Sequence, residues 1–232
     1  MTDLLDDRCI LFFVKCPEAG SVKTRLAAAL QEINSVELYQ NFVLDILSTL
    51  ETLGVTFRIC YYPEDKEDYC VQWLGKQYHY IPQKGEDLGH RMQNSFRHAF
   101  LEGFCRVVIV GSDSPDLPGD FIEEALTALE MQDSVIGPSF DGGYYIIGFR
   151  KDSFVPAVFG GIKWSTDTVF RDTMEILHHA GHKTYLLRKW GDVDTAADLK
   201  SLIERGKHTG FIFSKTMSYL FENNIDEFMR EE

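Results

Sequence analysis

Residues 106–118, RVVIVGSDSPDLP, constrain the fold of this chain more than any other stretch. Val107, Val108, Ile109 and Val110 form a continuous apolar run rather than an alternation of apolar and polar positions. That pattern belongs to a strand buried on both faces, which needs helices above and below it. It therefore implies an α/β chain with an open, mostly parallel sheet, and in such sheets ligands sit beyond the carboxyl ends of the strands. Here that end carries Asp113 and Asp116 in a loop that also contains Pro115 and Pro118. Oxygen ligands on a short loop suit Mg2+ or Mn2+, which one or two carboxylates usually hold together with substrate phosphates. The same two residues also allow a structural reading, in which Asp113 ends the strand and Asp116 caps the next helix.

The rest of the chain alternates in the same way. Residues 9–14 (CILFFV), 55–62 and 78–81 read as strands before the central one, and 134–138, 144–149 and 184–187 read as strands after it. Helical spacing of apolar residues marks 22–30, 35–53, 64–74, 89–102, 118–131, 166–180, 196–205 and 215–230. The expected architecture is a three-layer α/β/α sandwich with a mostly parallel central sheet. It forms a single domain over 1–232, with 211–232 as a C-terminal helical extension. The irregular stretch 152–164 is the candidate for an inserted flap.

Composition limits the partners. A chain of 232 residues that is 44% hydrophobic and 25% charged has enough sequence for a sizeable core. A formal net charge of -13 argues against an extended nucleic-acid surface, which needs clustered Lys and Arg. The first residues are acidic where a signal peptide would be basic, and no apolar run is long enough to span a membrane. Five cysteines without C-x-x-C spacing read as reduced thiols, so a cytoplasmic protein is expected. The seven histidines show no metal-ligand spacing.

Four stretches carry candidate chemistry. The loop from Lys15 through Gly20 to Lys23 and Arg25 leaves the first strand and enters a helix, where backbone amides and the helix dipole favour a phosphate. It is not a Walker loop, because Val22 rather than Gly precedes Lys23. Gly85, Asp87, Gly89 and Arg91 open another helix; Arg91 can face an anion, and Asp87 can equally be an N-cap. Asp141, Gly142, Gly143 and Tyr144 form a hairpin signal between two short strands. Asp192 and Asp194 precede a late helix and point to one side of an extended segment. A second carboxylate pair beside Asp113 and Asp116 could hold one or two Mg2+ ions against a pyrophosphate.

Taken together, Lys15-x-Pro17 with Gly20-x-Val22-Lys23-Thr24-Arg25-Leu26, Gly85-x-Asp87-Leu88-Gly89-x-Arg91-Met92, Gly111-x-Asp113-x-Pro115-x-Leu117 and Gly137-Pro138 with Asp141-Gly142-Gly143-Tyr144 resemble a bacterial family of largely uncharacterised glycosyltransferases. That family is nucleotide-diphospho-sugar transferase-like with the GT-A fold, and the resemblance covers residues 9–204. More distantly the chain is similar to phospholactate or phosphoenolpyruvate guanylyltransferases and to molybdenum-cofactor nucleotidyltransferases. Glu18 stands where the family often has a second proline.

The resemblance implies that Lys15, Gly20, Lys23, Arg25, Asp87, Gly89 and Arg91 meet the nucleotide and its phosphates. It implies that Asp113, Asp192 and Asp194, with Asp116 as a further candidate, hold Mg2+ or Mn2+. Gly142, Gly143 and Tyr144 would shape the substrate pocket, and Asp141 is the candidate general base. Three functions follow: glycosyl transfer from a nucleoside-diphosphate sugar to a small-molecule acceptor, nucleotidyl transfer from an NTP to a phosphorylated or carboxylate substrate, or non-catalytic nucleotide binding. None needs a nucleic acid or membrane insertion, and the oligomeric state is left open.

Overall fold

The structure, a computed structural model, describes residues 6–18, 22–29 and 34–225. Its centre is a seven-stranded sheet in the order β3-β2-β1-β4-β6-β5-β7. The strands are β1 (Arg8–Lys15), β2 (Phe57–Tyr62), β3 (Tyr80–Pro82), β4 (Arg106–Val110), β5 (Ser134–Pro138), β6 (Tyr144–Arg150) and β7 (Thr184–Leu186). The helices are α1 (Thr24–Ala29), α2 (Ser35–Thr52), α3 (Glu67–Leu74), α4 (Leu88–Leu101), α5 (Gly119–Ala128), α6 (Val169–His179), α7 (Ala196–Gly206) and α8 (Lys215–Glu222). Leu30 and residues 226–230, expected to extend α1 and α8, lie outside the described residues.

The sheet is mostly parallel, as the buried central run requires. β1 pairs in parallel with β2 on one side and β4 on the other, so the chain reverses its direction of progress between them. Only β6 is antiparallel to its neighbours, because the Asp141–Gly143 turn folds it straight back from β5. That reversal brings the start of β6 to the same edge as the ends of β1 and β4, where Gly111 N donates to Tyr145 O at 3.1 Å.

Alternation within the strands builds the two core layers. Ile10, Phe12 and Val14 of β1, with Val108 and Val110 of β4, pack against Val43, Ile46 and Leu50 of α2 and Ile122, Ala125 and Leu126 of α5. Cys9, Leu11 and Phe13, with Val107 and Ile109, face Met92, Phe96 and Ala99 of α4 and Leu177 of α6. Both strands are thus buried on both faces. Among the described residues no helix is long and apolar enough to cross a membrane.

Residues 152–164 are not a flap. Val158, Phe159 and Ile162 are buried, and Phe159 packs beside Phe96 and Phe149 with ring centroids 5.9 and 6.1 Å away. Short 3-10 turns at Lys151–Ser153 and Pro156–Phe159 make the segment look irregular, yet its apolar residues complete the second core layer.

The C-terminal helix also belongs to the packed structure. Leu38 and Phe42 of α2, Leu199, Leu202 and Ile203 of α7, and Met217 and Leu220 of α8 form a third apolar cluster. Asp45 on α2, 9% exposed, accepts hydrogen bonds from Lys215 N at 2.9 Å and Thr216 N at 2.8 Å, two of the amides that an isolated α8 would leave unpaired. Asp45→Ala should therefore lower the unfolding free energy by about 2 kcal/mol. In a urea titration this appears as a lower midpoint with an unchanged slope.

Candidate active site

A cavity of about 450 Å3 opens at the carboxyl ends of β1 and β4, the point where the sheet changes direction. Lys15, Gly111, Ser112 and Asp113 form its rim from those strands, the β5–β6 turn adds Ser139, Asp141 and Gly143, and the segment before α7 adds Asp192 and Asp194. Hydrogen bonds hold these separate pieces in register. Tyr39 Oη on α2 accepts from Lys15 N at 2.9 Å and pairs with Ser112 Oγ at 2.8 Å, tying the ends of β1 and β4 together. Val193 N donates to Asp113 O at 2.9 Å, and Trp190 N donates to Pro138 O at 3.1 Å. Val193 is fully buried, so Asp192 and Asp194 flank it on the open side of the extended segment.

The electrostatic centre is Lys23. Its side chain is 2% exposed, and Nζ donates to Asp113 Oδ1 and, at 3.0 Å, to Asp194 Oδ1. Burial opposes the ammonium charge, but Asp113 and Asp194 outweigh it and raise the Lys23 pKa above the ordinary lysine value. The residue has φ +48°, in the left-handed region that L side chains rarely occupy. Arg25 extends from the same loop with its guanidinium 3.8 Å from Asp194.

Asp192 shows the cost of collecting so many carboxylates. Burial pushes its pKa up to about 7, and repulsion from Asp141, Asp194 and Asp113 acts in the same direction. Asp141 is oriented by its own turn, accepting from Ser139 Oγ and, at 2.8 Å, from Gly143 N. Gly142, at φ +93°, makes that turn possible, since a Cβ there would lie 2.1 Å from Asp167 O. It is a turn residue, whereas Gly143 and Tyr144 line the cavity.

The other half of the cavity is apolar and aromatic, with Leu88, Met92, Tyr144 and Trp164 in its wall. Arg91 lies there with its guanidinium 4.2 Å over the Tyr62 ring, and its buried Nε has no hydrogen-bond partner among the described residues. Gln83 is buried against the same wall and donates to Val14 O and Cys60 O at 3.3 and 2.7 Å.

Several expected site residues have other positions. Asp116 does not join the carboxylate cluster: Arg205 grips it through Nε at 2.5 Å and NH2 at 3.1 Å, Trp190 Nε1 adds a contact at 3.3 Å, and its side chain is only 6% exposed. A carboxylate already neutralised by a bidentate guanidinium is a poor metal ligand. Asp87 caps α4, accepting from His90 N at 2.8 Å, and lies outside the cavity lining. Gly89 is a packing residue, because a Cβ there would come within 2.5 Å of Phe159 O and 2.7 Å of the Trp164 ring. Gly20 lies outside the described residues. Tyr62, Gln83, Ser139 and Trp164 line the cavity without any sequence signal that would have selected them.

Among the described residues no three carboxylate, histidine or cysteine side chains are preassembled as a metal cage. The donor chemistry nevertheless suits a hard cation that arrives with phosphates. Asp113, Asp192 and Asp194 offer oxygen ligands, and a dication among them would offset the mutual repulsion that adds to burial in raising the Asp192 pKa.

A family model described as "Uncharacterized protein conserved in bacteria" matches residues 46–166. A crystal structure from Desulfovibrio desulfuricans G20, described as a "putative nucleotide-diphospho-sugar transferase", is 43% identical, with 98% of each chain covered and a TM-score of 0.91. Two solved structures share the fold at much lower identity. The 4-diphosphocytidyl-2C-methyl-D-erythritol synthase of Anaerococcus prevotii DSM 20548 is 12% identical, covers 87% of this chain and 97% of its own, and has a TM-score of 0.57. The inositol-1-phosphate CTP transferase of T. maritima is 13% identical, covers 86% of this chain and 94% of its own, and has a TM-score of 0.55. No curated protein matches the sequence.

The Asp192 carboxyl gives a pH-dependent test. With its folded pKa raised to about 7 from 3.8, the folded state binds more protons than the unfolded state between those values, so this group's contribution to stability falls as pH rises through that window. In metal-free protein at pH 8, Asp192→Asn should raise the unfolding free energy by on the order of 1 kcal/mol after solvent screening. The gain should shrink as the pH approaches 3.8, measured by calorimetry of both proteins across the range.

Proposed function

The chain belongs to the bacterial family whose model matches residues 46–166, and from that premise we propose that it is a nucleotide-dependent transferase catalysing glycosyl transfer from a nucleoside-diphosphate sugar. The observation that carries this reading is the charged rim of a cavity of about 450 Å3, where Lys15, Asp192 and the Asp113 and Asp194 carboxylates stand together, the last two held from behind by the buried Lys23 ammonium. The cavity has two halves of different chemistry: an apolar, aromatic half suited to a nucleoside and a charged half suited to a diphosphate.

In this reading Lys15 faces the diphosphate, Lys23 holds Asp113 and Asp194 in place beside it, and Arg91 on Tyr62 takes the nucleoside side. Asp113, Asp192 and Asp194 would hold Mg2+ or Mn2+, which when bound offsets the charge growing on the departing diphosphate. The acceptor hydroxyl oxygen attacks the anomeric carbon of the donor. The bond from that carbon to the diphosphate oxygen breaks, the nucleoside diphosphate leaves with the electron pair, and the hydroxyl proton goes to Asp141. Ser139 Oγ and Gly143 N fix the Asp141 carboxylate for that role.

Nucleotidyl transfer is the second reading. Three cations on one loop, Lys15, Lys23 and Arg25, could balance a triphosphate, and the acceptor would then attack the α-phosphorus with release of pyrophosphate.

A thermal-shift panel of UDP, GDP, nucleotide sugars and the four NTPs, each with and without Mn2+, separates these readings. A ligand at about a hundred times its dissociation constant adds ~2.7 kcal/mol, a shift of roughly 5–11 °C for a chain of this size. We expect the shift with a nucleotide sugar and Mn2+; a shift confined to an NTP selects nucleotidyl transfer, and no shift removes both. With the donor so identified, Asp113→Asn should lower metal-dependent turnover roughly 100-fold while leaving the fold intact. Full activity in that variant would show the metal assignment to be wrong.

A further inference from the structure

A second cavity of about 410 Å3 adjoins the first. It shares Asp141, Asp192 and Asp194 with the first, so the two meet at these residues. Phe140, Gly191 and Ser201 line the rest, with Arg25 and Arg205 at the border.

Two features make this cavity more than a gap between loops. Phe140 is 69% exposed beside the buried Val193 segment, although Lys189 Nζ lies 5.2 Å over one face of its ring. Large aromatic rings left in water inside a concavity are characteristic of ligand contacts. Gly191 keeps the floor open: a Cβ there would sit 3.6 Å from both the Phe140 ring and the Arg205 guanidinium, so a longer side chain would fill the space between them.

We propose that this second cavity is the acceptor site of the reaction and that it takes a neutral, hydroxyl-rich acceptor, a sugar or polyol, rather than a phosphorylated or carboxylate one. The proposal rests on the transferase reading above and specifies its second substrate. Charge decides the class. Both guanidiniums already face carboxylates, Arg205 gripping Asp116 and Arg25 standing 3.8 Å from Asp194. Asp198 is engaged by the Thr195 hydroxyl and by the amides of Asp194 and Thr195. Asp141, its carboxylate oriented by Ser139 Oγ and Gly143 N, remains as a hydrogen-bond acceptor for hydroxyls and offers an anion no counter-charge. The Phe140 ring supplies the apolar surface against which the C–H face of a sugar ring packs.

The transfer then runs between the two cavities. A hydroxyl of the acceptor in the second cavity attacks the anomeric carbon of the donor in the first, the carbon–diphosphate bond breaks with its electrons leaving on the nucleoside diphosphate, and the proton passes to Asp141, which both cavities share.

The test is saturation-transfer NMR on the full chain with millimolar methyl α-D-glucopyranoside, methyl α-D-mannopyranoside and glycerol, and with glycerol phosphate as the anionic counterpart. Nucleotide-induced thermal shifts are recorded on the same samples. The neutral probes should receive saturation and glycerol phosphate should not. Phe140→Ala, a change at an exposed ring, should weaken the neutral probes roughly 3- to 10-fold, and Gly191→Leu should abolish their signal. Neither variant should alter the nucleotide shift. Absence of saturation in the unaltered protein, preference for glycerol phosphate, or signals that survive both substitutions would each overturn the acceptor assignment while leaving the nucleotide reading intact. Loss of every nucleotide shift in the unaltered protein would instead remove the transferase reading on which it rests.

Discussion

The Lys23 ammonium between Asp113 and Asp194 is the interaction on which the site depends. The two carboxylates are 90 and 171 residues away in sequence, and they come from the end of β4 and from the segment before α7. Both would repel Asp192 and Asp141, which are close enough to raise the Asp192 pKa. One cation shared between two of the four makes the cluster compatible with a folded chain. A buried ion pair of this kind adds little net stability, since desolvation offsets most of the attraction. Its effect is positional: the loop that carries Lys23 and Arg25 is fixed against the Asp113 and Asp194 carboxylates. The left-handed backbone at Lys23 is consistent with a residue held where the site requires it rather than where local preference would place it.

The same cluster divides the open edge of the sheet into two compartments. Antiparallel β6 brings Tyr144 and Tyr145 to the edge where β1 and β4 end, and the Asp141 turn therefore faces the Asp192–Asp194 segment. Had β6 been parallel, its first residues would lie at the opposite edge, and Tyr144 and Tyr145 would not meet the ends of β1 and β4. The hairpin thus puts Asp141, Gly143 and Tyr144 together in the lining of the first cavity. One cavity is apolar and aromatic at one end, the other is polar with the exposed Phe140 ring, and the two share Asp141, Asp192 and Asp194.

Much of this was legible in the sequence because it follows from local pattern. The runs in β1 and β4 lack alternation since both faces are buried, and that alone implied helices on both sides. The D-G-G turn identified the hairpin, and the period-two spacing of Asp192 and Asp194 placed them on one side of Val193. What was hidden depends on contacts between distant residues. Asp116 resembles Asp113 in its loop, and only Arg205, 89 residues later, distinguishes the buried carboxylate gripped away from the cavity from the one that lines it beside Lys23. Asp87 could be read as cap or ligand, and the hydrogen bond from His90 N shows the capping role. Residues 152–164 read as an inserted flap because 3-10 turns have no apolar period, yet Phe159 is buried among Phe96 and Phe149.

The family and the fold do not by themselves identify the reaction, since one fold supports several chemistries. The arrangement of charge goes further. A nucleotidyl transfer to a phosphorylated or carboxylate substrate would require an anion to approach the α-phosphorus past Asp141 and Asp192, with Arg25 and Arg205 both facing carboxylates already. A hydroxyl approaching the same carboxylates meets hydrogen-bond acceptors and a base. On the proposed reading, that difference favours a neutral acceptor over an anionic one.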